Sequence, residues 1–213
     1  MRVKICGITQ LNQALAIVNA GANSLGFICV ERSPRYIAPP KIQKIAIALP
    51  AEIDKVGVFA DAAIAEILDT VEIAHLTSVQ LHGAESPEFC ALLRQALPES
   101  KKIEIIKAFR IKGAASLTEI EPYIPQVDTL LLDAYHPQLL GGTGHTIDWQ
   151  DLEKFAPSIP WLLAGGLNPD NIKDALSRLK PDGIDLSSGV ELAPGNKDLT
   201  KITQLFKQLA IVR

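Results

Sequence analysis

The chain has 213 residues, 47% of them hydrophobic and 21% charged, with a formal charge of −3. That composition excludes an intrinsically disordered chain, and the lack of a basic excess speaks against a nucleic-acid partner. No apolar run reaches the ~18 residues of a membrane span, and Cys6 and Gly7 fall where a signal peptide would carry its apolar stretch, so a cytosolic protein is expected. The three cysteines, Cys6, Cys29 and Cys90, lack CxxC spacing, which argues against both a disulfide framework and a thiolate zinc site.

Short runs rich in Val, Ile and Leu alternate with helical patterns. The first run, residues 3–8, precedes Leu11, Ala14, Leu15 and Val18 at helical spacing, with Gly21 suited to close that helix. Runs at 24–30 and 55–60 come next, then Ile64, Ile67, Leu68 and Val71 at the same spacing. After a run at 78–81, Ser86 and Pro87 read as the N-cap and first position of a helix carrying Phe89, Leu92, Leu93 and Ala96. The run at 102–109 leads to Ser116 and Glu119 in capping-box spacing, a pattern that Pro122 and Pro125 interrupt. The run at 128–133 is followed by Asp148 as a cap for Trp149, Leu152 and Phe155. Behind the run at 161–164, Asn168-Pro169 opens a helix with Ile172, Ala175, Leu176 and Leu179. The last run, 183–187, precedes a stripe of Leu199, Ile202, Leu205, Phe206 and Leu209.

Near-continuous apolar runs are what strands covered on both faces show. Eight such units without a linker or low-complexity break predict a single (β/α)8 barrel over residues 1–213. An open doubly wound sheet shares the alternation and is the alternative. The outer helices show no extra apolar stripe, which points to a monomer, with a homodimer as the alternative.

Polar residues at the C-terminal ends of barrel strands face the mouth where barrel active sites lie. Side chains alternate along a strand, so Lys4 pairs with Cys6, Gln80 with His82, and Asp185 with Ser187. Asp133 ends the sixth strand behind Leu131. If these faces point inward, Cys6, His82, Asp133 and Asp185 converge. Cys29 and Cys90 read instead as small buried hydrophobes, and His75, His136 and His145 as loop or satisfied histidines. The histidines form no HxH or HExxH pair, so no metal site is expected.

Three loops carry ligand-binding character. Gly141-Gly142-Thr143-Gly144 lies in a long connection after the sixth strand, where Gly142 would let the backbone approach a ligand. Gly165 and Gly166 follow strand seven, and Ser188 and Gly189 follow strand eight. These two loops form the usual phosphate site of a barrel, through free N–H groups and a helix N-terminus. The connection after strand two contains Arg32 and Arg35. Arg35 is the candidate for gripping a carboxylate, whereas Arg32 reads as a solvated loop residue.

Taken together, KICGIT (4–9), SPRY (33–36), VGVF (56–59), VQLHG (79–83), LLLD (130–133), GGTG (141–144), LAGGL (163–167) and DLSSGVE (185–191) resemble the phosphoribosylanthranilate isomerase family, in family order across the whole chain. Residues 29–32 and Leu186 depart from the family pattern. The resemblance implies an Amadori rearrangement of a phosphoribosyl aminoaldose without a cofactor. It implies Asp133 as general acid, Cys6 as thiolate base and Arg35 on the anthranilate carboxylate. His82 and Asp185 would contact the sugar, and Gly165, Gly166, Ser188 and Gly189 the phosphate. Such an acid and base should titrate near neutral pH. Lys4 is placed to lower the thiol pKa, and desolvation at an apolar strand end would raise that of Asp133.

Two other readings stand beside it. A related phosphate-binding barrel enzyme is expected to carry an aspartate at position 6, or a catalytic lysine on an early strand. Lys55 and Lys107 are the lysines to weigh for that role, and both read as structural or solvated. A barrel that only binds a phosphosugar would need neither Cys6 nor Asp133.

Overall fold

The structure, a computed structural model, describes residues 1–111, 113–134 and 149–212. Eight strands form a closed parallel barrel in chain order: β1 (Arg2–Cys6), β2 (Ser24–Ile28), β3 (Asp54–Phe59), β4 (Ser78–Leu81), β5 (Glu104–Ile111), β6 (Thr129–Ala134), β7 (Trp161–Ala164) and β8 (Gly183–Leu186). The pairing of β1 with β8 closes the ring, with Lys4 opposite Asp185. A doubly wound sheet has no such pair, so the barrel reading holds and its alternative falls.

The helices are α1 (Leu11–Ala20), α2 (Pro39–Ala48), α3 (Ile64–Ala74), α4 (Pro87–Ala96), α5 (Ile172–Arg178) and α6 (Leu199–Val212). None among the described residues is long and apolar enough to cross a membrane. The local signals act as expected in α1, where the Gly21 N–H closes onto Val18, and in α4, where Ser86 Oγ accepts from the Phe89 N–H at 3.2 Å. The apolar spacing predicts no helix between the second and third strands. There α2 buries Ile42, Ile45 and Ala46, starting at the proline pair that obscured its pattern. Two expected helices are shorter and tighter than foreseen. Residues Ala114–Glu119 and Glu121–Tyr123 are 3-10 turns, with Ser116 inside the first rather than capping it. Pro122 and Pro125 supply no N–H to an α-helical ladder there. Trp149–Leu152 is likewise one 3-10 turn, and its expected cap, Asp148, lies outside the described residues.

Two apolar layers result. One lies between barrel and helices and includes Phe27, Leu81, Leu132 and Ile172. The other fills the barrel interior with Val56, Ile106, Ala108, Leu131, Leu162 and Ala164. Below that plug, Glu104 accepts from Arg2 Nη1 at 2.7 Å and Nη2 at 2.8 Å, from Ser78 Oγ at 2.9 Å and from Thr129 Oγ1 at 2.7 Å. Arg2 also reaches Asp54 at 3.1 Å. Above the plug, at the C-terminal ends of the strands, a cavity opens.

Candidate functional site

The cavity is lined by Cys6, Arg35, Gln80, His82, Asp133, Asp185, and the loops after β7 and β8. The parity inference therefore holds for all four convergent residues: each shares the inward face of its strand.

On β1, Lys4 and Cys6 sit one above the other. The Lys4 ammonium is fully buried and donates to Asp185 Oδ2 at 2.9 Å. The second oxygen, Asp185 Oδ1, is buried without a partner among the described residues. Burial opposes the Lys4 charge, but Asp185 and the adjacent Cys6 thiol outweigh it and hold the ammonium above the usual lysine pKa. For the Cys6 thiol itself, burial is the largest effect and pushes its pKa up. Lys4 and Lys197 pull it down, and Asp185 adds to the upward push. The expected lowering by Lys4 is thus real but outweighed in the ligand-free site. Gly26 of β2 makes room for the thiol, because a Cβ there would stand 2.6 Å from Sγ. Cys29 and Cys90 are buried hydrophobes as expected, with thiols pushed up by burial to about 12 and about 11.

Across the cavity, Asp133, next to last in β6, lies 3.5 Å from His82 Nε2. The side chain is 34% exposed rather than enclosed by the apolar strand end. Gln80 Nε2 stands 3.0 Å from His82 Nδ1. With the amide donating there, the proton of the neutral ring resides on Nε2, toward Asp133. The N–H of His82 donates to the Phe59 carbonyl at 2.8 Å, which fixes the residue to the neighbouring strand.

Beyond β7, Gly165 and Gly166 adopt φ of 91° and 66°, a backbone that favours glycine. Asn171 Nδ2 braces the turn on the Gly166 carbonyl at 3.0 Å. Opposite, the 3-10 turn Ser188–Val190 packs so closely that a Cβ on Gly189 would lie 1.9 Å from the Leu167 carbonyl oxygen. The N–H groups of Gly165, Gly166, Ser188 and Gly189 find no acceptor among the described residues. That is the arrangement an oxyanion fills.

Arg35 reaches the cavity from the loop after β2, its stem crossing Gly7, where a Cβ would meet Arg35 Cδ at 2.8 Å. Its Nε lies 3.0 Å from Glu191 Oε1 and its Nη2 donates to Glu191 Oε2 at 2.6 Å. Arg32 is exposed, as expected. Gly142 and the rest of GGTG lie outside the described residues, as do His136 and His145. Among the described residues, the Lys55 ammonium bonds loop carbonyls and Lys107 is buried against Glu85, and neither lysine lines the cavity. Among the described residues, no group of His, Cys, Asp and Glu is placed to hold a metal ion.

Sequence reasoning missed the floor beneath Cys6. Strands β9 (Glu191–Ala193) and β10 (Asn196–Lys197) form a hairpin after β8. It carries Lys197 back under β1, where the ammonium donates to the Cys6 carbonyl, to Ser187 O at 3.3 Å and to Glu191 Oε1 at 2.8 Å. Burial opposes the Glu191 charge, but Arg35 and Lys197 outweigh it and hold the carboxyl below the usual range. Only the motif SSGVE touched this hairpin, and nothing in its spacing signals a partner 191 residues away.

A family model described as N-(5'phosphoribosyl)anthranilate (PRA) isomerase matches residues 3–208. A curated relative from Trichormus variabilis, named N-(5'-phosphoribosyl)anthranilate isomerase, is 59% identical over 209 residues, covering 98% of each chain. The crystal structure of phosphoribosyl anthranilate isomerase from Thermotoga maritima is 36% identical, with a TM-score of 0.89 over 99% of this chain and 98% of that one. Another solved structure, 34% identical with a TM-score of 0.84 over 99% and 98%, is such an isomerase in complex with reduced 1-(o-carboxyphenylamino)-1-deoxyribulose 5-phosphate.

Proposed function

The chain belongs to the N-(5'-phosphoribosyl)anthranilate isomerase family, and from that premise we infer that Asp133 delivers and Cys6 removes the two protons on which the family reaction turns. The reaction is the aldose–ketose isomerisation of phosphoribosylanthranilate in tryptophan biosynthesis. The observation that carries the residue roles is the placement of Cys6, beside a buried ammonium, and Asp133, beside His82, on opposite sides of one cavity.

The substrate phosphate takes the free N–H groups of Gly165, Gly166, Ser188 and Gly189, which anchors the sugar between the two walls. Asp133 protonates the ribose ring oxygen, the ring opens, and the anilino nitrogen becomes an iminium. The Cys6 thiolate then removes the C2 proton to give an enolamine, which tautomerises to the ketone. Turnover leaves Asp133 ionised and Cys6 as the thiol, and one proton passing from the thiol to the carboxylate through solvent restores both. Lys4 stands against the thiol, so the thiolate forms in an ion pair while burial keeps water away. The unpartnered Asp185 Oδ1 needs a donor, which a sugar hydroxyl supplies. Arg35 presents Nη1 to the anthranilate carboxylate. The three cysteines are free, which fits the reducing cytosol as its setting.

The test is the loss of anthranilate-type fluorescence when purified protein meets freshly made phosphoribosylanthranilate, with Cys6→Ser alongside. Rapid loss with wild type alone supports both the reaction and the base. Loss at equal rate with both removes Cys6 from that role.

A further inference from the structure

The Lys197 ammonium has three N–H donors and three acceptors: Glu191 Oε1, the Cys6 carbonyl and the Ser187 carbonyl. It is fully buried, Glu191 is 4% exposed, and Arg35 is 22% exposed toward the cavity. One carboxylate therefore serves two cations. Glu191 occupies Nε and Nη2 of Arg35, and Nη1 has no partner among the described residues. The neighbouring pair Lys4–Asp185 is neutral by itself. The group Arg35, Glu191 and Lys197 keeps one net positive charge, and its only cavity-facing member is Arg35.

We propose that Lys197, without touching the substrate, sets the affinity of this site for the substrate carboxylate, by sharing Glu191 and so leaving the charge of Arg35 uncancelled. Were Lys197 absent, Arg35 and Glu191 would be left as a neutral pair, and an incoming carboxylate would reach Nη1 with the guanidinium charge cancelled by Glu191. Lys197 is thus a positioning residue, and it works at the carboxylate end of the ligand alone. A residue that merely stapled the hairpin to β1 would affect every ligand alike. The inference rests on the reading that Arg35 meets the anthranilate carboxylate.

The test compares two probes: reduced 1-(o-carboxyphenylamino)-1-deoxyribulose 5-phosphate and its phenylamino counterpart without the carboxylate. The readout is the ratio of their dissociation constants, which a uniform loss of fold or phosphate binding leaves unmoved. In Lys197→Met the preference for the carboxylate probe should fall about tenfold, the scale of one charge interaction in a partly screened site. In the double variant Lys197→Met/Glu191→Gln it should return to within about threefold of wild type, because Arg35 is again unopposed. An unchanged ratio in the single variant, or no recovery in the double, overturns the proposal. Should Lys197→Met fail to fold, Glu191→Gln decides: a preference at or above wild type supports the proposal, and a collapse overturns it. Arg35→Ala separates the layers. If that variant keeps the wild-type ratio, the carboxylate is bound elsewhere and the underlying reading fails. If it loses the preference while Lys197→Met keeps it, only the role of Lys197 fails.

Discussion

Both ends of the barrel interior hold a charged carboxylate, half-buried at the N-terminal end and buried at the other, and they do so to opposite effect. At the N-terminal end, the Glu104 carboxylate is filled by Arg2, Ser78 and Thr129, and burial cost is offset by four hydrogen bonds. At the C-terminal end, Asp185 bonds Lys4 through one oxygen, and among the described residues neither its other oxygen nor the buried Gln80 Oε1 has a partner. The lower end is not perfect, since Arg2 Nε and Ser24 Oγ also lack partners among the described residues. The difference lies in the carboxylates. A filled carboxylate fastens strands, whereas one with an unfilled oxygen lacks part of that compensation. Between them, the apolar plug of Val56, Ile106, Leu131 and Leu162 keeps the two networks apart. On the proposed residue roles, function and stability are thus separated along the axis of one barrel.

Substitutions at the two ends should separate the same way. Cys6→Ser is expected to cost about 10³-fold in kcat, within the range of a lost general base, while affinity for the reduced product stays within a few-fold. Asp133→Asn should lose about 10²–10³-fold in kcat for the same reason. Wild-type turnover in either variant removes that residue from proton transfer. Glu104→Ala should leave kcat per folded molecule unchanged but lower stability by about 2 kcal/mol, the scale of losing charge-assisted hydrogen bonds in a half-buried network, read by denaturant unfolding. A loss of kcat without loss of stability would erase the distinction between the ends.

The sign of the acid response follows from Glu104. Burial works against its charge, but Arg2, Thr129 and Ser78 outweigh it and hold its pKa below the usual value. Its contribution to stability is therefore present above ~4.3, the unfolded value, and is lost as pH falls through the depressed folded value. Glu104→Ala should show a flatter decline of stability across that acid window than wild type. The smallest effect concerns the thiol. Because burial raises the Cys6 pKa, the fraction of thiolate at neutral pH is reduced. Alkylation of Cys6 in the ligand-free protein should therefore keep rising with pH past ~8.5, the ordinary thiol value. A rate that levels off below ~7 would show that Lys4 and Lys197 outweigh desolvation.

Much of the fold was legible because its signals are local. A strand covered on both faces has to be apolar throughout, and a helix packed on it has to show one apolar stripe, so the eight strands appear in the sequence within about two residues of their observed ends. The exceptions follow from competing local effects. Pro39-Pro40 hid α2, whose first turn tolerates them, while Pro122 and Pro125 converted an apparent helix into 3-10 turns. Strand parity was enough to point Cys6, His82, Asp133 and Asp185 toward one cavity, since the period of two is imposed by the extended backbone itself.

By itself, the sequence determined the strand–helix alternation, the inward faces of the strands and the identity of the groups at the mouth. Each of these depends on residues near one another along the chain. Only the tertiary structure decided who stands beside whom: Lys4 against Asp185 by closure of the ring, and Lys197 beneath Cys6 by the turn of the hairpin. The structure also joined Glu191 to Arg35 and Lys197, and made burial outweigh Lys4 at the thiol. Such pairings are set by distance and solvent exclusion, and neither quantity is written in the spacing of residues along a chain.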